Sequence, residues 1–265
     1  MTEILAANGL GLRTGGRHPA KILADVDFSI STGQRWGVIG PSGAGKSMLL
    51  RCLTASQPAG SRLDGGIRVN GTPLDAIAPS RRRQFVARHI AVLRQDSIGS
   101  LNPYQRIGTQ FRHVLAVQRR TRGPVTAGLS REWLGRVGLP DIDRILHSYP
   151  HELSGGMRQR VSLALNLCGD QPLVVADEPT TALDMPHQKE CIDLIDQICT
   201  QQQRDLLFVS HDLALVWRLC EHVIVMENGR IIEHGPVDQV LTAPATDLTR
   251  TLLAQTRKVR PTCPS

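Results

Sequence analysis

The chain is short of aromatic residues: four Phe, three Trp and two Tyr in 265 positions, 3% of the total. They are scattered, with no run of aromatics interleaved with arginine, which argues against a stacking platform for single-stranded nucleic acid. No apolar run approaches the ~18–20 residues needed to span a bilayer. The opening MTEILAANGLGLRTGG lacks the charged-then-apolar order of a signal peptide. Neither a secreted chain nor an integral membrane protein is expected. The six cysteines, Cys52, Cys168, Cys191, Cys199, Cys220 and Cys263, form no Cys-x-x-Cys pair. They read as reduced, mostly buried thiols, with no spacing that supports a zinc site. Lysine is scarce as well: 27 of the 31 basic residues are arginine.

The rest of the composition is ordinary for a soluble globular protein, at 41% apolar and 21% charged. The length allows one or two domains, with enough chain to bury a sizeable core. The formal charge of +7 suits a nucleic acid, an anionic lipid or a nucleotide as partner, and equally a basic solvated surface. Short apolar pieces at Ile4–Leu12 and Ile22–Ile30 predict strands. Arg35–Gly40 predicts a buried strand entering a glycine-rich turn, and Ser47–Leu53 a helix. Ile67–Val69 before Asn70-Gly71 predicts a strand and tight turn. Residues 97–150 are Arg-rich, with helical stretches at Gln110–Arg120 and Arg131–Val137 broken by Gly123-Pro124. They read as a helical subdomain inserted into the first one. A helix is expected from Ser154 through Leu167, and buried strands at Leu173–Ala176 and Leu206–Val209. Val223–Met226 and Arg230–Ile232 flank Asn228-Gly229, a hairpin signal. Strands alternating with helices favour a mainly parallel sheet.

Gly40-Pro41-Ser42-Gly43-Ala44-Gly45-Lys46-Ser47 fits the phosphate-loop pattern G-x-x-x-x-G-K-[ST]. Gly43 and Gly45 permit backbone angles closed to other residues. The loop can then turn its N–H groups around phosphate oxygens, with the positive end of the next helix aimed at the same anion. Lys46 adds a point charge at the β and γ phosphates, and the Ser47 hydroxyl can hold Mg²⁺. Leu173-Val174-Val175-Ala176-Asp177-Glu178 is an apolar strand ending in two carboxylates. Asp177 at such a tip can hold Mg²⁺ through water, beside Ser47. On a strand Glu178 points the other way, free to polarise the water that attacks the γ-phosphate.

Leu153-Ser154-Gly155-Gly156-Met157-Arg158-Gln159-Arg160 resembles the signature of the ATP-binding-cassette (ABC) ATPases. Gln95 in Val92-Leu93-Arg94-Gln95-Asp96 resembles the Q-loop glutamine, Ala182-Leu183-Asp184 the D-loop, and His211 in Val209-Ser210-His211-Asp212 the switch histidine. Singly each has a plainer reading, as a helix cap, a loop residue or a strand end. Together, in this order, they cover the chain from about Ile4 to Leu253. The resemblance implies an α/β phosphate-loop core, with a mainly parallel sheet and an antiparallel β subdomain, interrupted by a helical signature subdomain. The corresponding ranges are 1–96 and 160–255 for the core, about 97–159 for the helical subdomain and 256–265 for a tail. It implies ATP and Mg²⁺ as cofactors, with Ser47, Gln95 and Asp177 at the metal. It implies two cassettes packed head to tail, so that Ser154, Gly155, Gly156 and Asp184 act at ATP held by a partner. Gln95 would contact Mg²⁺ or the attacking water; His211 would hold the γ-phosphate. One feature departs from the family: no aromatic residue precedes Phe28, where the family places one against adenine. Arg13 or His18 is a candidate replacement; the alternatives are weak adenine contacts or contacts supplied by a partner.

Lys46 and Ser154 are 108 residues apart, room for a compact helical insertion and not for a long coiled coil. The chain therefore resembles a separate ATPase subunit of a transporter. Gln95-Asp96-Ser97-Ile98-Gly99-Ser100-Leu101-Asn102-Pro103 and Ser148–Val161 resemble the dipeptide, oligopeptide and nickel importers. The ending Val259-Arg260-Pro261-Thr262-Cys263-Pro264-Ser265 resembles the nickel and metal-chelate members more than the Cys-rich peptide members. This resemblance implies integral membrane permease subunits, a second ATPase subunit (same or paralogous), an indirectly acting substrate-binding protein, and a place on the cytoplasmic face of the membrane. No nucleic-acid partner is expected. The alternative, motivated by the charge, is a soluble ABC ATPase acting on nucleic acid or ribosomes. Arg81 to Arg83 and Arg88 are candidates for a permease-facing surface, against the plainer reading of a solvated face.

Overall fold

A computed structural model describes residues 2–16, 19–95, 98–118, 123–180 and 185–259. The expected D-loop residues Ala182, Leu183 and Asp184, together with His18 and Cys263, lie outside these residues. The chain divides into two compact units, one of residues 1–83 with 205–265, the other of residues 84–204.

In chain order the first unit supplies β1 (Glu3–Arg13), β2 (Lys21–Ser31), β3 (Arg35–Ile39), α1 (Lys46–Leu53), β4 (Arg62–Val69) and β5 (Thr72–Pro73). Helix α2 (Pro79–His89) carries the chain past residue 83. The second unit holds β6 (Ile90–Leu93), α3 (Ile107–Gln118), α4 (Pro124–Arg136), α5 (Ile142–His147), α6 (Gly155–Leu167), β7 (Leu173–Asp177) and α7 (Met185–Gln201). The chain then returns to the first unit with β8 (Asp205–Val209), α8 (Leu213–Leu219), β9 (His222–Glu227), β10 (Arg230–Pro236), α9 (Val237–Thr242) and α10 (Asp247–Val259).

The first unit contains an antiparallel sheet ordered β2-β1-β4-β5 and a second group of strands ordered β10-β9-β3-β8. In that second group β3 runs parallel to both β8 and β9, and β10 closes a hairpin on β9. Both Asn-Gly turns have positive φ at each residue, 48° and 73° at Asn70-Gly71 and 47° and 76° at Asn228-Gly229, as the tight hairpin turn requires. Strands β8 and β9 are apolar nearly end to end, and Leu206 to Val209 and Val223 to Met226 are all buried. Such unbroken runs are what parallel strands covered on both faces need. In the second unit β6 and β7 pair in parallel, Ile90 opposite Leu173 through Leu93 opposite Ala176. Phe111, Trp133, Leu134, Val161 and Ile195 form part of its buried core.

The expected fold class, a mainly parallel core with an antiparallel β part and a helical part, is the one observed. Strand β6 and helix α2 were not anticipated. Gly123-Pro124 lies between two helices, as expected, and the second starts earlier than Arg131: Gly123 takes φ 69° as N-cap and Pro124 opens α4, where a fixed φ and a missing N–H cost nothing. Arg81 and Arg83 of α2 are exposed, and two arginines of the helix also bond to backbone. Arg82 Nε donates to the Ile77 carbonyl at 2.9 Å and Arg83 Nε to the Ala55 carbonyl at 3.1 Å. Cys52, Cys168, Cys191, Cys199 and Cys220 are buried and unbridged, as expected. Burial pushes the Cys52 and Cys220 thiols up to about 12 and Cys191 to about 11, so they stay protonated and unreactive.

Candidate nucleotide site and signature turn

The phosphate loop leaves the carboxyl end of β3 and opens α1. Gly40 has φ 150°, and a Cβ there would come within 2.3 Å of the Met226 carbonyl oxygen. Gly43 has φ 80° and Gly45 φ 100°, angles that L side chains rarely adopt. Gly45 is the N-cap of α1 and gives it no side-chain cap; a helix N-terminus of this kind suits an anion. The loop is braced from outside. Gly229 of the β9–β10 turn donates its N–H to the Ala44 carbonyl at 2.9 Å, and Ala24 donates to the Gly229 carbonyl at 2.9 Å. Gly229 is itself obligatory, since a Cβ there would lie 2.1 Å from the Ile22 carbonyl oxygen.

Lys46 is buried, with 8% of its surface exposed. Its Nζ donates to the Gly40 carbonyl at 2.7 Å and the Pro41 carbonyl at 3.0 Å. The ammonium is thereby held inside the curve of the loop and does not reach out to solvent. Ser42, Gly43 and Ser47 are exposed at the loop surface. This is a cradle of N–H groups with one fixed cation, and it fits a polyphosphate.

His211 lies in the same unit. Strands β3 and β8 pair in parallel with Val38 opposite Val209, so the phosphate loop and His211 follow the same ends of adjacent strands. Ligands of open α/β sheets collect at that edge. The turn around His211 is pinned on both sides: the Asp212 N–H donates to Ser210 Oγ at 3.0 Å, and Asp212 caps α8 by accepting from the Ala214 N–H at 2.8 Å. His211 itself is exposed.

The second unit repeats the device. Leu93 stands opposite Ala176 in the β6–β7 pair. Gln95 and the Asp177-Glu178 pair therefore follow the same ends of two adjacent parallel strands. One expectation is corrected. Glu178 does not continue the strand and point opposite to Asp177, because β7 ends at Asp177 and Glu178 turns to φ 44°. A left-handed conformation at a glutamate costs of order 1–3 kcal/mol and persists only where the surroundings hold it. The two carboxylates are separated by this turn, and strand alternation plays no part.

Ser154 is the N-cap of α6, its Oγ accepting from the Met157 N–H at 3.3 Å. The plainer reading of this serine, a helix cap, is thus present in the structure. Ser154 and Gly155 are exposed, and a Cβ at Gly155 or Gly156 would meet nothing within 4 Å. The fold of the chain does not require glycine at either place. Asp184 lies outside the described residues. Of the candidates for adenine contact, Arg13 ends β1 and pairs with Asp64 at 3.5 Å.

The ABC transporter family profile matches residues 23–181. The chain belongs to the ABC transporter family. It is an ATP-binding cassette and an ATP hydrolase, with ATP and Mg²⁺ as cofactors. A curated relative from Brucella abortus (strain 2308), provisionally named a peptide import ATP-binding protein, is 37% identical over 231 residues, 87% of this chain and 70% of the relative. A second, from Brucella melitensis biotype 1 and with the same provisional name, is 38% identical over 253 residues, 92% of this chain and 75% of its own length. Among solved structures, a dimeric ATP-binding cassette in a post-hydrolysis state with ADP and Pi has a TM-score of 0.75 at 21% identity, covering 88% of this chain and 99% of that one. That likeness concerns the fold. Among the described residues no helix is long and apolar enough to cross a membrane.

Proposed function

We propose that this cassette powers import of a peptide through a separate membrane permease, working from the cytoplasmic face. The observation that carries the cargo class is the provisional name shared by relatives 37–38% identical across most of the chain. Nickel or a metal chelate is the competing cargo. The Gln95–Pro103 and Ser148–Val161 stretches are common to both groups of importer.

The roles follow from the residues. The loop N–H groups and Lys46 bind the β and γ phosphates. Ser47 and Asp177 hold Mg²⁺, joined by Gln95; the ion neutralises charge on the phosphates as the bond to the γ-phosphorus breaks. Glu178 orients and polarises the attacking water. His211 holds the γ-phosphate. Ser154, Gly155 and Gly156 present the N-terminus of α6 to ATP bound by a second cassette, and Asp184 lies at the same junction. The open space at Gly155 and Gly156 supports this reading, since no neighbour among the described residues accounts for two successive glycines there.

Uptake of labelled dipeptide and labelled nickel in cells carrying Lys46→Ala tests the cargo. The proposal expects dipeptide uptake to fall to background with nickel uptake unchanged; the reverse pattern would make the chain a metal importer. Glu178→Gln is expected to keep nucleotide binding and to lower turnover by about 100-fold, in the range typical of losing a general base. A nucleotide-bound dimer should then accumulate on gel filtration. Turnover at the wild-type rate would remove Glu178 from this role.

A further inference from the structure

Residues distant from the signature turn hold its helix in place. Arg204 follows α7 and is buried, with 6% of its surface exposed. Its guanidinium donates to the Leu167 carbonyl at 2.9 Å and to the Gly169 carbonyl. These are carbonyls at and just past the C-terminal end of α6, where a cation complements the helix dipole. The same guanidinium lies 5.6 Å from the ring centroid of the buried Trp133 in α4. Its own N–H is bonded to the Cys199 carbonyl near the end of α7 at 2.8 Å. A buried charge with so many engaged partners is costly to disturb.

The ends tied together matter because of what lies at the other ends. Helix α6 starts at the signature glycines, and α7 starts at Met185, directly after the D-loop residues. With 13 residues, α6 puts the arginine about 20 Å from the signature turn. Nearer that turn the two helices are joined again, by the Arg160–Glu190 ion pair at 3.1 Å and the Gln159–Cys191 hydrogen bond.

We propose that Arg204 is a positioning residue for ATP hydrolysis: it locks the C-terminal ends of α6 and α7 onto α4 and so fixes the direction in which the signature turn is presented to the partner's ATP. The inference rests on the proposed role of Ser154, Gly155 and Gly156. An error of about 1 Å in placing a transition-state contact can cost up to 100-fold in rate.

The test uses the full chain assembled with its partner cassette. Arg204→Met keeps the aliphatic stem and removes the fork. Affinity for a fluorescent ADP analogue, which reports the chain's own phosphate loop, should stay within about twofold. The kcat per folded molecule should fall about tenfold with KM unmoved, an intermediate loss on the same scale. Arg204→Lys, which retains the cation but not the fork, should recover only part of the loss. An unchanged kcat, or a loss of nucleotide affinity in step with kcat, would overturn the proposal; the second result would mean general loosening of the fold. Ser154→Arg serves as the control. If it lowers kcat and Arg204→Met does not, only this inference fails. If neither lowers it, the role given to the signature turn fails as well.

Discussion

Two glycine-rich turns open helices in this chain, and they are built in opposite ways. The phosphate loop is determined from within. A Cβ on Gly40 would collide with the Met226 carbonyl, and the loop is bonded at Ala44 to the Asn228-Gly229 turn. The signature turn has no such internal demand, since a Cβ on Gly155 or Gly156 meets nothing within 4 Å. Glycine at the first place is explained by the fold; at the second, no neighbour among the described residues demands it. Stability and activity should therefore separate between the two turns.

Gly40→Ala should give the larger effect. The contact is with backbone, which cannot swing aside, so the substitution should cost well over about 1 kcal/mol. It should also abolish nucleotide binding, because the clash displaces the Gly40 carbonyl that holds Lys46. Chemical denaturation and nucleotide titration of the same sample would check both. Wild-type affinity in a folded Gly40→Ala protein would break the comparison.

A smaller effect is expected where the unit that carries the phosphate loop ends. Glu233 on β10 accepts from the N–H groups of Ala245 and Thr246 and from the Thr246 and Thr249 hydroxyls, tying down the start of α10. Partial burial opposes its charge, but these hydrogen bonds outweigh it and hold the carboxyl below its ordinary range. The folded state thus binds this proton more weakly than the unfolded chain. Its contribution is complete above the ordinary glutamate range and is lost as the pH falls through the lowered folded-state value. Glu233→Gln should lower stability by about 1 kcal/mol at neutral pH and by less in acid, as for a typical hydrogen bond to a charged group. Urea midpoints at several pH values would show whether the difference shrinks on acidification.

Much of this was legible in the sequence because it is local. The phosphate loop, the helix from Gly155 and the two Asn-Gly hairpins follow from turn chemistry and from apolar runs. Strand β6 was missed because Ile90–Leu93 is only four residues long and follows directly on α2. The start of α4 was placed too late, at Arg131, because a Gly-Pro pair marks a break without showing that the proline itself opens the next helix. The brace from Gly229 depends on residues distant in the chain, and no local pattern encodes it. Ser154 was read both as a cap and as a ligand contact, and the structure shows the cap.

The measurement that bears most directly on the central claim is Gly155→Ala, assayed for unfolding, nucleotide affinity and ATP turnover. Alanine is the better helix former by up to about 1 kcal/mol, so stability should hold or rise, and nucleotide affinity should be unchanged. Turnover should fall at least tenfold, because in the proposed role of the signature turn the added methyl would stand where a partner's ATP approaches; loss of one preorganised transition-state contact costs about that much or more. Turnover equal to wild type would contradict the account, for it would show that the open signature turn serves nothing beyond its own helix.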